Sequence, residues 1–397
     1  MRRRLWVLAT VALTLAACDG PTTPPPAPAV SSALPPVASP APSASAVAPS
    51  TVAPHGDCVA RTLAGLSLQE RIGQLLMVGA PVASPRSLAT TVTRYHLGGV
   101  FLAGRSTRRA AALRGDIAAL QSAADEPLLV ALDQEGGAVQ TLKGPDFPLI
   151  PSALRLGAGP PATLRAEVQD TARRLAGIGV NVNLAPVADT VPTSVGEDNP
   201  PIGAFHREYG SDPAQVAAAI RTVVPASQDA GVLTTLKHFP GLGRTRFNTD
   251  TTARAVDTTT TAQDPYLGPF AAGIKQGSAA VMISSASYPR LDAKNIAAFS
   301  DPIITGLLRD QMGFAGLIMS DDLGAAVAVR AVPVGSRAVR FIRAGGDLVL
   351  TIRPDDAAPM SGALLAAANR SPAFTNRVTD AATQVLRAKA RAGLLTC

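Results

Sequence analysis

The chain has 397 residues, 47% of them hydrophobic and 4% aromatic, with 36 Lys and Arg against 29 Asp and Glu. That length allows one large domain or two small ones. Arg2, Arg3 and Arg4 supply three of the +7 formal charges, and Lys/Arg clusters with interleaved aromatics are missing, which argues against a nucleic-acid partner.

Residues 1–18 read as an export signal. Arg2–Arg4 form the basic region, Leu5–Leu15 the apolar region, and Leu15-Ala16-Ala17-Cys18 a small-residue cleavage site. The apolar run is too short to remain as a membrane span. A cysteine directly after Leu-Ala-Ala resembles a bacterial lipobox, so Cys18 is expected to be lipidated and to anchor an exported protein on the extracytoplasmic face of the cell membrane. A plain secretory signal is the alternative. Residues 19–56, rich in Pro, Ala, Ser and Thr, cannot bury enough surface to offset their chain entropy and read as a disordered linker.

Residues 57–397 form the folded body. Short Val-, Ile- and Leu-rich runs predict eight strands: Leu75–Gly79, Gly99–Ala103, Leu128–Leu132, Val180–Ala185, Val232–Leu236, Ala280–Ser284, Leu317–Ser320 and Asp347–Thr351. Helical spacing separates them at Ser87–Tyr95, Thr107–Ser122, Ala162–Ala176, Pro213–Gln228, Pro302–Gln311 and Val334–Arg343, and Phe374–Ala392 reads as a closing helix. Continuously apolar strands suit a parallel sheet covered on both faces, and eight β/α units predict an α/β fold, a single (β/α)8 TIM-type barrel. Closure would bring the ends of the body together, so Cys58 and Cys397 are expected to pair in an oxidising compartment. The four histidines and three cysteines show no metal-ligand spacing, so neither a zinc site nor a cofactor is expected.

Polar residues gather after the predicted strands. Asp133-Gln134-Glu135-Gly136-Gly137 follows the third, Asp189 the fourth, Lys237-His238 the fifth and Asp321-Asp322 the seventh. Each aspartate alone could be a helix cap, but together they have the distribution of a barrel active site.

Four ordered motifs then resemble the catalytic domain of glycoside hydrolase family 3, in its bacterial β-N-acetylglucosaminidase branch. They are Asp133-Gln134-Glu135-Gly136-Gly137, Asn183-Leu184-Ala185-Pro186-Val187-Ala188-Asp189, Lys237-His238-Phe239-Pro240-Gly241 and Ser320-Asp321-Asp322-Leu323. The resemblance runs from about Ser67 to the C-terminus. It implies a retaining exo-β-N-acetylhexosaminidase acting on a small glycan from cell wall or chitin. Asp321 would be the nucleophile, Asp322 a structural or capping carboxylate, and Asp133, Lys237 and His238 ligands for sugar hydroxyls. Pro201–Gly210 resembles the family's Ile-Gly-x-Arg-Ser-Phe-Gly stretch with two extra residues, which adds Arg207 as a sugar ligand.

Two departures stand out. Where the family carries Asp-Ser-His, with the histidine as acid/base, this chain has Asn248-Thr249-Asp250, and an Arg-x-x-Arg becomes Ala138-Val139-Gln140-Thr141. Asp250 could take the acid/base role if burial or a neighbouring carboxylate raises its pKa. His206 could replace it, or the chain could be a non-catalytic glycan-binding surface lipoprotein. A β-glucosidase-like specificity is a further alternative, disfavoured by the lack of a second sandwich domain. The single tryptophan, Trp6, lies in the signal, so a pocket for one terminal sugar is expected rather than an aromatic-lined cleft.

Overall fold

The computed structural model describes residues 55–396. The signal with Cys18, all but the end of the expected linker, and Cys397 lie outside them. The helix His55–Gly65 spans the expected linker boundary, and Cys58 within it is disulfide-bonded and buried.

All eight expected strands are present, with ends shifted by a few positions: β1 (Leu76–Pro81), β2 (Gly99–Ala103), β3 (Leu129–Leu132), β4 (Val182–Asn183), β5 (Leu233–Phe239), β6 (Ala280–Ile283), β7 (Leu317–Ser320) and β8 (Val349–Thr351). Each pairs in parallel with its chain neighbour, and β8 returns to β1 through Leu76↔Val349.

The ring closes least regularly between β7 and β8, through one ladder bridge, Met319↔Leu348. Flanking backbone bonds from the Asp347 N–H to the Ile318 carbonyl at 2.8 Å and from the Leu323 N–H to the Leu350 carbonyl at 2.9 Å extend the join, and side chains add to it. Ser320 Oγ accepts the Leu350 N–H at 2.9 Å, and the Asp347 carboxylate accepts the Ile318 N–H at 2.9 Å. Asp347 is buried and held by Arg377 at 2.8 Å and by Arg309. The barrel is therefore nearly closed as a ladder and completed by polar side chains.

The strands are apolar on both faces because both are covered. Met77, Phe101, Leu129, Ala131, Leu233, Met282, Met319 and Leu350 form one cluster, the barrel lumen. Their chain neighbours Leu76, Val78, Val100, Leu102, Val130, Val281, Ile318 and Val349 belong to the larger cluster under the helices. Alternate residues thus serve different cores, and no polar periodicity survives.

The expected helices at 162–176, 213–228, 334–343 and 374–392 are present within a few residues, and Ser87–Tyr95 divides into a 3-10 turn and a short α-helix. Pro302–Gln311 differs: it is a π-helix, with the Met312 N–H bonded to the Leu307 carbonyl. Its buried residues Ile303, Ile304, Leu307 and Leu308 recur at a spacing of four that either helix satisfies, so the apolar pattern does not separate the two forms.

The closing helix, Pro372–Arg391, sends Val385 and Ala388 into the lumen cluster. It also buries Lys389 completely, with its ammonium donating to Gln74 Oε1. Burial pushes this lysine down to about 7, against a partial offset from Glu126. Because the folded value lies below the unfolded one of 10.5, the unfolded chain binds more protons between about pH 7 and 10.5, and stability rises with pH across that window. Lys389→Met is expected to remove on the order of 3 kcal/mol of that rise, measured by denaturant unfolding from pH 6 to 10. Equal slopes for both proteins would contradict the assignment.

Candidate active site

The C-terminal ends of the strands open into a cavity of about 400 Å³, within the size range of small-molecule sites. Asp133, Arg207, Lys237, His238, Asp250 and Asp321 all line it, so these residues marked in the sequence come together from four loops and the end of β5.

The motif after β3, Asp133–Gly137, is laid out residue by residue. Asp133 faces the cavity. Gln134 is buried and ties the chain ends together: its amide bonds both polar groups of Leu142, and its backbone bonds both polar atoms of the Asn183 side chain at 3.0 Å. Glu135 turns into the protein. Gly136 and Gly137 take positive φ of 105° and 55°, and a Cβ on Gly136 would meet the Pro151 carbonyl at 2.5 Å. The Gly-Gly pair is therefore required by the turn.

At the end of β5, Lys237 is only 2% exposed, and its ammonium sits 2.6 Å from both Asp133 and Glu135. Glu135 also receives a two-pronged bond from Arg207, at 2.8 and 2.7 Å. Burial alone would raise the Glu135 pKa, but Arg207 and Lys237 overcome it and hold the carboxyl at about 2. Arg207 donates a third bond to the Pro201 carbonyl, leaving only part of its N–H set for a ligand.

His238 is set by Asp189, which is fully buried and accepts from His238 Nδ1 at 2.7 Å and from the Leu242 N–H at 2.8 Å. A carboxylate only accepts, so Nδ1 carries the hydrogen, and the buried Asp189 fixes the ring from that side.

Asp321 follows β7 directly and donates its N–H to the Ile283 carbonyl at 3.0 Å, which registers it against β6. Asp322 is the expected cap: its carboxylate accepts from the backbone of Gly324, Ala325 and Ile352 at 2.8–3.0 Å.

Asp250 sits on the loop after β5, in a turn where Asn248 Oδ1 accepts its N–H at 2.8 Å. This loop is pinned to the one after β7, with the Ala328 N–H bonding the Thr249 carbonyl at 3.0 Å and the Val327 N–H the Asp250 carbonyl at 3.4 Å. One side of Asp250 remains open to solvent, yet the cavity wall crowds its carboxyl. Burial first, then the Asp321 and Asp133 charges, push its pKa up against the pull of His238 and Arg207.

His206 does not join them. It is exposed in the left-handed region at φ 54°, pairs with Glu197 at 3.0 Å, and is not part of the cavity wall. The αL turn faces it outward while Arg207, one residue on, faces inward, and the reading of His206 as acid/base is set aside.

The whole length from Ser67 to Ala388 matches the model of the glycosyl hydrolase family 3 N-terminal domain. The chain belongs to glycoside hydrolase family 3. This family 3 domain is 46% identical to the β-N-acetylhexosaminidase from Beutenbergia cavernae, matching over 82% of this chain and 99% of that one with a TM-score of 0.80. A family 3 β-N-acetylglucosaminidase from a Paenibacillus species is 30% identical, over 83% of this chain and 63% of the other, with a TM-score of 0.75. A β-hexosaminidase of Xanthomonas oryzae pv. oryzae is 37% identical over 245 residues, 60% of this chain and 71% of its own length.

Reading the sequence overlooked Glu135, although it lies inside the first motif. The usable signal was a second carboxylate two residues beyond Asp133, which a hairpin returns to the same side. Glu135→Gln is expected to destabilise the domain by about 3 kcal/mol, because two buried cations lose their shared counter-charge. Glu135 has a depressed pKa, so its contribution is present above about pH 4.5 and is lost as the pH falls towards 2. Denaturation curves at pH 7 and pH 3 measure this: the variant's deficit should be larger at pH 7. An equal deficit at both would rule out the charge-based account.

Proposed function

We propose that this family 3 domain is a retaining exo-β-N-acetylhexosaminidase that removes terminal β-linked N-acetylglucosamine from glycan fragments of the cell-wall or chitin type. The observation that carries the reading is the meeting of Asp321, Asp250 and the Asp133–Lys237 pair in one cavity. The names of the relatives support the choice of sugar.

In this reading Asp133, Lys237, His238 and the free N–H groups of Arg207 hold the hydroxyls of the terminal sugar. The Asp321 carboxylate bonds to the anomeric carbon as the glycosidic C–O bond breaks, and the Asp250 carboxyl gives its proton to the departing oxygen. Asp250, now ionised, takes a proton from water, whose oxygen displaces Asp321 from the anomeric carbon. Two inversions give net retention and restore both carboxyls. Burial against the wall and the Asp321 charge both favour the protonated form of Asp250 that the first step requires.

Asp321→Asn is expected to lower kcat on an aryl N-acetylglucosaminide by at least about 1,000-fold. Asp250→Ala should lose roughly 100-fold or more on substrates with poor leaving groups, much less on activated aryl glycosides, and regain turnover with azide. In the wild type, activity on poor leaving groups should fall as the pH rises through the raised Asp250 pKa, a limb absent from Asp250→Ala. Full turnover in Asp321→Asn would remove the nucleophile assignment. A wild type that binds N-acetylglucosamine without hydrolysing any glycoside would favour the non-catalytic reading.

The same reading makes the protein an exported lipoprotein, with Cys18 as anchor and residues 19–56 as a stalk. Its support is the order of basic, apolar and small residues before Cys18. In a bacterial host the wild type should partition with membranes and carry acyl chains detectable by mass spectrometry, whereas Cys18→Ser should not. Acyl-free wild-type protein would defeat the proposal.

A further inference from the structure

Four cationic or potentially cationic side chains line the cavity, and three are committed to acids: Lys237 to Asp133 and Glu135, Arg207 to Glu135, and His238 to Asp189. The fourth, Arg105, has no acidic partner among the described residues, and its one side-chain hydrogen bond goes to the adjacent Gly104 carbonyl at 3.1 Å. Its neighbours show what this loop does with other arginines. Arg108 pairs with Asp116 at 2.8 Å and Arg109 with Asp146 at 3.0 Å. Arg105 alone stands exposed and unpaired, just past β2, at the rim of a substrate cavity.

Its place in the ring adds direction. In an eight-strand barrel β2 lies opposite β6, and the loops after β5 and β7 are joined above β6 by the Thr249–Ala328 and Asp250–Val327 bonds. With the anomeric oxygen next to Asp250, as the glycosidase reading requires, these joined loops stand on that side and a group attached to that oxygen would extend towards the opposite rim. That rim offers apolar surface from Val139 and Ile352 with one bare guanidinium beside it.

We infer that Arg105 recognises a carboxylate on the part of the substrate beyond the terminal sugar, so that the enzyme selects anionic leaving groups. This rests on the glycosidase reading above. A guanidinium presents paired N–H donors that match a carboxylate, and such a charge-assisted pair at a half-open rim is strong enough to discriminate.

The test compares two aryl N-acetylglucosaminides, one with a para-carboxymethyl group and one with its methyl ester, whose phenols have similar acidity. The wild type should prefer the acid by roughly tenfold in kcat/KM, through KM, and lose that preference as salt is raised. Arg105→Met should bring the acid to the level of the ester, and Arg105→Lys should restore part of the gap. Equal losses on both substrates would instead make Arg105 a ligand of the terminal sugar, and no preference in the wild type would overturn the inference. If the wild type turns over neither substrate, the glycosidase reading has failed. The inference is then decided by calorimetry with the sulfur-linked analogues of the pair, where a preference for the acid lost in Arg105→Met supports it and equal Kd values refute it.

Discussion

An ammonium ion and a guanidinium buried at the mouth of a barrel lose several kcal/mol of hydration each unless carboxylates go with them. Lys237 and Arg207 are kept there by Glu135, which touches both, and by Asp133, which Lys237 shares with the cavity. Much of the site follows from this cluster. It fixes Lys237 at the end of β5 and ties the hairpin after β3 to the loop after β4. It also leaves the Asp133 carboxylate facing the cavity with an ammonium against it.

The other side of the pocket is built on opposite terms. Among the described residues no lysine or arginine forms an ion pair with Asp321 or Asp250, and burial first, then the Asp321 charge, raises the Asp250 pKa. One cavity thus holds a charge-paired half and a half whose carboxyls lack such partners, an arrangement that tunes titratable groups apart. The fold supplies both because parallel strands in chain order deliver their terminal residues to a single face.

How much of this was legible in the sequence follows from what each residue does. Strands buried on both faces leave continuous apolar runs, so all eight could be found. Their ends were less certain, because Val180 and Asn181 precede β4 in the same apolar context that β4 itself occupies. The site residues were readable where a motif ends a strand, as with Lys237-His238 and Asp321. Glu135 was missed because its role depends on a hairpin folding back towards Arg207, more than seventy positions later in the chain. Arg105 was missed for a related reason: among three arginines in one loop, only the three-dimensional pairing of Arg108 and Arg109 reveals which one is left over. The π-helix stayed hidden because apolar spacing does not encode it.

The join between β7 and β8 has a consequence for how the protein is made. Ser320, the residue before Asp321, accepts its hydrogen bond from Leu350 in the final strand, and Asp347 stitches the same two strands from below. During synthesis Asp321 can register against β6 through the Ile283 carbonyl, but the strand before it gains its second neighbour only once β8 has left the ribosome. The rim around Asp321 is thus finished last, after the strands that deliver Asp133 and Lys237 have already been translated.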